Sequence, residues 1–173
     1  YIGSVCLPLF AAAGHEVVGL DTLFYRGCDL PRVPSPETAE LALDVRDVHS
    51  DDLAGFDAVL HLAALSNDPI FSPELTREID YEATVSLARA AREAGVRRFV
   101  FSSSCSMYGA SPDEAVGEDA PLKPLSAYAE SKVRAEEELA DLADADFAPV
   151  SMRNATAYGV SPRLRVDLVL NNL

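Results

Sequence analysis

Gly95-Val96-Arg97-Arg98-Phe99-Val100-Phe101-Ser102-Ser103-Ser104 decides the fold. The glycine stops a helical pattern, residues 98–102 continue as a short apolar strand, and that strand runs into a serine triplet. Upstream, residues 72–94 carry the strongest helical pattern in the chain. Pro73 sits in its first turn, and Leu75, Ile79, Ala83, Leu87 and Ala91 recur every four residues. Downstream, a loop over 105–124 is punctuated by Gly109, Pro112, Gly117, Pro121 and Pro124, and a second long helix spans 126–142. Loops of that length are usually functional.

The same reading extends to both ends. Residues 4–13 look helical despite Pro8, with Gly14 closing the helix. Residues 16–21 form a short apolar strand ending in Asp21, and residues 22–39 read as a loop. Further strands are expected at 40–44, 57–64 and 149–152, with a new element starting at 166–173. Strands alternating with helices at this spacing predict an α/β protein with a parallel sheet and crossover connections. Ligands of such sheets bind at the carboxyl ends of the strands. Asp21, Asp44, residues 63–66 and the serine triplet all fall there.

Composition narrows the function. The 173 residues amount to one domain, and 49% hydrophobic residues suffice for a sizeable core. A net charge of −14, from 14 Lys+Arg against 28 Asp+Glu, repels nucleic acid and anionic membranes. No apolar run approaches the ~20 residues of a membrane span. Cys6, Cys28 and Cys105 are odd in number and lack metal-ligand spacing, which sets the expectation of reduced thiols in a cytoplasm and no metal site.

Tyr128-Ala129-Glu130-Ser131-Lys132 supplies the chemistry. Positions i and i+4 of a helix share a face, so the phenol and the ammonium point the same way. Ionising a tyrosine at pH 7 takes a shift of about 3 units, about 4 kcal/mol. One cation at about 5–6 Å, in an effective dielectric near 20, supplies on the order of 3 kcal/mol. A nearby cationic nicotinamide ring would add to it, and a serine hydroxyl can share the proton. Such a pair can deprotonate an alcohol while its carbon gives up hydride. For the cofactor, Gly3 opens a helix and Asp21 closes the following strand 18 residues later. That spacing suits a pyrophosphate turn followed by an acid for ribose hydroxyls. An acid there repels a 2′-phosphate, so NAD is favoured over NADP, with Arg26 nearby as the feature that would suit NADP.

Together these segments resemble the extended short-chain dehydrogenase/reductases, in particular the NAD-dependent nucleotide-sugar epimerase/dehydratase group typified by UDP-galactose 4-epimerase. The matching pieces run in order through the chain: Tyr1-Ile2-Gly3, Gly14-His15-Glu16-Val17-Val18-Gly19-Leu20-Asp21, Asp44-Val45-Arg46-Asp47 and His61-Leu62-Ala63-Ala64. Gly95 through Ser104, Met107-Tyr108-Gly109, Glu118, Ala127-Tyr128-Ala129-Glu130-Ser131-Lys132 and Arg153 with Tyr158-Gly159 complete the set.

The resemblance implies a Rossmann-type doubly wound parallel sheet. Its first strand and leading glycines would precede Tyr1, and its C-terminal substrate domain would follow Leu173. Residues 1–160 would form the dinucleotide-binding domain and 161–173 the start of the substrate region. It further implies roles for individual residues. Gly3 belongs to the pyrophosphate turn, Asp21 holds the adenosine ribose, Asp44 and Val45 the adenine, and Leu62, Ala63 and Ala64 wall the pyrophosphate-ribose. Ser102 lies near the nicotinamide, Tyr128 is the base, Lys132 binds the nicotinamide ribose, and Ser104 occupies the catalytic Ser/Thr position. His61 reads as a structural strand residue. Two positions depart from the family pattern: Asp80 stands where an asparagine is usual, and Thr156 replaces a substrate-binding asparagine. Relatives dimerise through two long helices per subunit, so a homodimer is expected.

Within the group, 4,6-dehydratases place Asp-Glu directly after the catalytic threonine, and the decarboxylases also need that glutamate. Here those positions are Cys105 and Ser106, neither a general acid near neutral pH. Epimerisation of a nucleotide sugar needs no further acid and is the first expectation. A keto-sugar reductase or dehydrogenase, a dehydratase, and a non-catalytic dinucleotide-binding protein are the alternatives.

Overall fold

The computed structural model describes residues 1–28, 39–66, 70–110, 115–163 and 165. The chain forms two compact units, Tyr1–Asp44 with Thr156–Leu173, and Val45–Ala155. Their strands make two parallel sheets flanked by helices, so the expected α/β class holds, with the strands divided between the units.

In the first unit, α1 (Gly3–Ala12) is followed by β1 (Val18–Asp21) and β2 (Ala39–Ala42). Gly14 ends α1 at φ +91°, where its N–H bonds the Ala11 carbonyl at 3.0 Å and the His15 N–H bonds Phe10 at 3.1 Å. This is the paired bonding of a Schellman cap, which a residue without Cβ adopts without strain. β1 and β2 pair in parallel from Val18↔Ala39 to Asp21↔Ala42. The expected loop over 22–39 falls mostly on residues outside the described set, as does the expected element at 166–173.

The second unit holds β3 (Ala58–His61), β4 (Arg98–Ser104) and β5 (Ala148–Asn154) in the order β3-β4-β5, all parallel. Between β3 and β4 runs a continuous helical stretch: α2 (Pro73–Arg77), a π-helical turn (Glu78–Ala83) and α3 (Thr84–Glu93). Ser72 caps it, accepting from the Leu75 N–H at 3.2 Å, with Pro73 in the first turn as expected. α4 (Ala127–Leu142) joins β4 to β5 and is capped by Ser126, which accepts from Ala129 N–H at 3.2 Å. The core lies between strands and helices, where Phe99, Phe101, Phe147, Val96, Met107, Ala88, Ala91, Ala135 and Leu139 are buried.

Two expectations are corrected. The strand expected over 57–64 ends at His61, so Leu62, Ala63 and Ala64 lie beyond it. The helical stripe expected at every fourth residue is also displaced. Ala83, Leu87 and Ala91 are buried, but Leu75 and Ile79 are only half-buried, and Thr76, Asp80 and Thr84 are buried instead. A strict spacing of four slips by about 40° per step against 3.6 residues per turn. Toward the N-terminus the inward positions therefore fall on polar residues that a hydrophobic pattern does not flag.

Candidate active site

The candidate site of the second unit lies where β4 runs out and α4 begins. Ser126 fixes the first turn of α4, which places Tyr128 and Lys132 on one face, as their spacing required. Lys132 Nζ lies 5.3 Å from the centre of the Tyr128 ring and 4.5 Å from that of Phe101 on β4. At that separation, with an effective dielectric of about 20, a lysine charge favours a phenolate by about 3 kcal/mol. Lys132 is only 2% exposed. Burial pulls its ammonium down to about 8, partly countered by the negative charge of Asp80. It is thus mostly protonated at neutral pH and close enough to its midpoint for its surroundings to matter.

Beneath this pair, the His61 ring stacks on Phe101 at 5.9 Å, with 17° between the planes. Its Nε2 lies 2.8 Å from Thr84 Oγ1. The Thr84 hydroxyl donates its single proton to the Asp80 carbonyl at 3.0 Å, so Nε2 of His61 is the donor in the 2.8 Å bond. Burial, with a smaller push from Lys132, lowers the imidazole to about 3, leaving it neutral. That is a structural histidine. The Asp80 side chain in turn accepts from the Leu65 N–H at 2.7 Å, holding the segment that follows β3. In that segment Leu62 and Ala64 are half-buried and Ala63 is exposed.

The serines divide by the pleat of β4. Ser103 shares the buried face with Phe99 and Phe101, while Ser102 and Ser104 are half-buried on the other. Ser102 Oγ accepts from Asn154 Nδ2 of β5 at 3.0 Å. Ser104 caps the 3₁₀ turn Cys105–Tyr108, accepting from the Ser106 N–H at 3.2 Å. Beyond the turn, Arg153 organises the loop. Its Nε and Nη2 donate to the Glu136 carboxylate of α4, at distances down to 2.7 Å. Its Nη1 donates to Tyr108 Oη and to the Glu118 carbonyl, each at 2.7 Å. The hydrogen bonds it donates to Glu136, then to Tyr108, hold the guanidinium well above its ordinary range.

In the first unit, Gly3 begins α1, and Asp21 sits exposed at the end of β1 with Oδ1 accepting from the Leu23 N–H at 2.7 Å. Asp44 follows β2 by two residues, and the Leu43 N–H bonds the Asp21 carbonyl at 3.1 Å. The carboxyl ends of both strands therefore stand side by side. Val45 is buried in the 3₁₀ turn Val45–Asp47 of the second unit. Sequence reasoning did not anticipate the Thr84 bond to His61 or the hub at Arg153. It noted Asp80 as a departure but not its burial. A 3.6-residue stripe, rather than one of four, would have turned both Asp80 and Thr84 inward.

Parallel strands ending in serines, followed by a helix that sets a half-buried tyrosine and a buried lysine on one face, are the features of an extended short-chain dehydrogenase/reductase. The chain belongs to the NAD dependent epimerase/dehydratase family, whose model matches residues 1–172. It is 36% identical over 146 residues to UDP-glucose 4-epimerase of Mycolicibacterium smegmatis (strain ATCC 700084 / mc(2)155), covering 79% of this chain and 46% of that one. Among solved structures it is similar to MoeE5 in complex with UDP-glucuronic acid and NAD. That match has a TM-score of 0.83 and 30% identity, over 100% of this chain and 56% of the other. It is also similar to DesIV, a dTDP-glucose 4,6-dehydratase from Streptomyces venezuelae, with a TM-score of 0.82, 26% identity and coverage of 99% and 57%. The chain spans about half the length of the curated relatives it matches. No helix among the described residues is long and apolar enough to cross a membrane.

Proposed function

We propose that the protein is an NAD-dependent epimerase of a nucleotide sugar. The observation that carries this reading is the buried ammonium of Lys132, 5.3 Å from the Tyr128 ring on one helix face. The residues fit the cofactor. An exposed acceptor-only carboxylate at Asp21 suits a ribose diol, and the apolar side chains of Leu62, Ala63 and Ala64 suit a wall against a pyrophosphate-ribose. Lys132 packs against ring faces, and its three N–H donors suit the hydroxyls of the second ribose.

When bound, NAD supplies the acceptor that takes hydride from a sugar carbon and returns it. Tyr128 Oη takes the proton of the sugar hydroxyl as the carbon is oxidised, and gives it back on the return step. Lys132 stabilises the phenolate through its charge. Ser104, at the end of β4, would share the hydroxyl proton, and Ser102, fixed by Asn154, would face the nicotinamide. Gly3 would hold the pyrophosphate, and Asp44 and Val45 the adenine. Residues 1–160 form the cofactor domain, 161–173 begin the substrate region, and the full protein works as a cytoplasmic homodimer.

Epimerisation is preferred to dehydration because Cys105 is an exposed thiol and Ser106 a hydroxyl, where water loss would need carboxyl groups. Tyr128→Phe in the full-length protein is expected to lower turnover of the accepted nucleotide sugar by at least about a thousandfold, with NAD affinity by calorimetry within about threefold. Undiminished turnover would remove Tyr128 as the base. Release of a 4-keto-6-deoxy sugar from dTDP-glucose or GDP-mannose, seen by mass spectrometry, would overturn the choice of epimerase.

A further inference from the structure

The catalytic helix carries a cation where a protein interior ordinarily admits none without a partner. Among the described residues, Asp80 at 0% exposure and Lys132 at 2% are the buried members of the Asp, Glu, Lys and Arg side chains. A buried charge persists only when paired or hydrogen-bonded. Both residues belong to one contiguous cluster. Asp80 bonds Leu65 through its carboxylate and Thr84 through its carbonyl, Thr84 bonds His61, His61 stacks on Phe101, and Lys132 lies over the same Phe101 ring. Asp80 also sits within the π-helical turn Glu78–Ala83, a kind of distortion that recurs at functional sites.

We propose that Asp80 is a positioning residue for the Tyr128–Lys132 pair: its buried carboxylate keeps Lys132 charged inside the core and ties the segment after β3, at Leu65, to the same helical turn. The inference rests on the epimerase reading for its purpose, but not for its physics. Several other ionisable groups on the elements around Lys132 are neutral, exposed or engaged elsewhere. His61 of β3 is neutral. Tyr128 shares the helix. Tyr81, Arg89, Arg134 and Glu138 meet one another along the seam of the helices, where Tyr81 and Arg89 bond Glu138 and Arg134 stacks on Tyr81. Glu136 is engaged by Arg153. Glu78 pairs with Arg46, and Glu82 is exposed. Among the described residues, the charge of Asp80 is what counters the loss of solvent around Lys132. A neutral asparagine at this position would still accept the Leu65 N–H, but would leave the ammonium without its counter-charge.

Asp80→Asn is therefore the discriminating change, since it keeps shape and hydrogen bond and removes charge. The chain described here contains two lysines, Lys123 and Lys132. In the full-length protein labelled with ¹³Cε-lysine and free of ligands, the Lys132 resonance is assigned by its loss in Lys132→Arg. Its titration midpoint is expected to fall by roughly 1 unit or more in Asp80→Asn. The alkaline limb of the turnover profile shifts the same way, while NAD affinity near pH 7 stays within about threefold because the Leu65 bond remains. A Lys132 midpoint unmoved by Asp80→Asn overturns the proposal. The titration needs neither NAD nor substrate, so it stands or falls separately from the epimerase reading, which Tyr128→Phe tests.

Discussion

Acidification should destabilise this fold through one ring. Buried His61 holds its ordinary value of 6.5 down to about 3 in the folded protein, mainly because burial penalises the imidazolium. Between those two values the unfolded chain binds a proton that the folded protein refuses, so stability falls as pH falls. At about pH 7 the resulting penalty is only about 0.2 kcal/mol; at about pH 5 it reaches about 2 kcal/mol. Other groups titrate over the same range, and the comparison that isolates His61 uses His61→Gln. The glutamine amide can still donate to Thr84 Oγ1, and packing lost against Phe101 does not depend on pH. Urea unfolding of both proteins at about pH 7 and about pH 5 gives two stability gaps. The wild-type advantage should shrink by about 2 kcal/mol on going to the lower pH. A gap constant to within about 0.5 kcal/mol would mean that His61 takes up its proton in the folded state, and the neutral, Thr84-bonded ring would be wrong.

Two further perturbations test the loop after β4. Gly109 has φ +73°, and a Cβ added there would collide with the Lys123 carbonyl oxygen. Gly109→Ala should cost at least about 2 kcal/mol in chemical denaturation; a loss below about 0.5 kcal/mol would show that the backbone yields. Arg153→Met leaves the Glu136 carboxylate, 11% exposed, without its bidentate partner, and a cost of roughly 2–4 kcal/mol is expected. Adding Glu136→Gln should recover part of that loss, and strictly additive effects would deny the coupling.

The parts of this protein that were legible in sequence are local or periodic. Tyr128 and Lys132 share a face because four residues make about one helical turn, and their helix begins at Ala127, one residue from the expected start. Asp21 marks the end of β1 because a short apolar run stops at an acid. β4 extends to Ser104, two residues past its expected end, since the serines still pair with β5 through Asn154. What stayed hidden is what tertiary contact decides. Thr76, Asp80 and Thr84 face the core although a hydrophobic stripe passes over them, and the π turn has no compositional mark. Arg153 meets Tyr108, Glu118 and Glu136 across 45, 35 and 17 residues of chain, and no periodicity encodes that meeting.

The Arg153 hub also orders events during synthesis. Tyr108 and the Glu118 carbonyl receive their guanidinium bonds from β5, the last strand of the unit to leave the ribosome. Until translation has passed residue 153, the nascent polypeptide lacks the guanidinium that clasps the loop beside the Tyr128–Lys132 helix. The clasp on that loop therefore closes only after the final strand of the unit has been added.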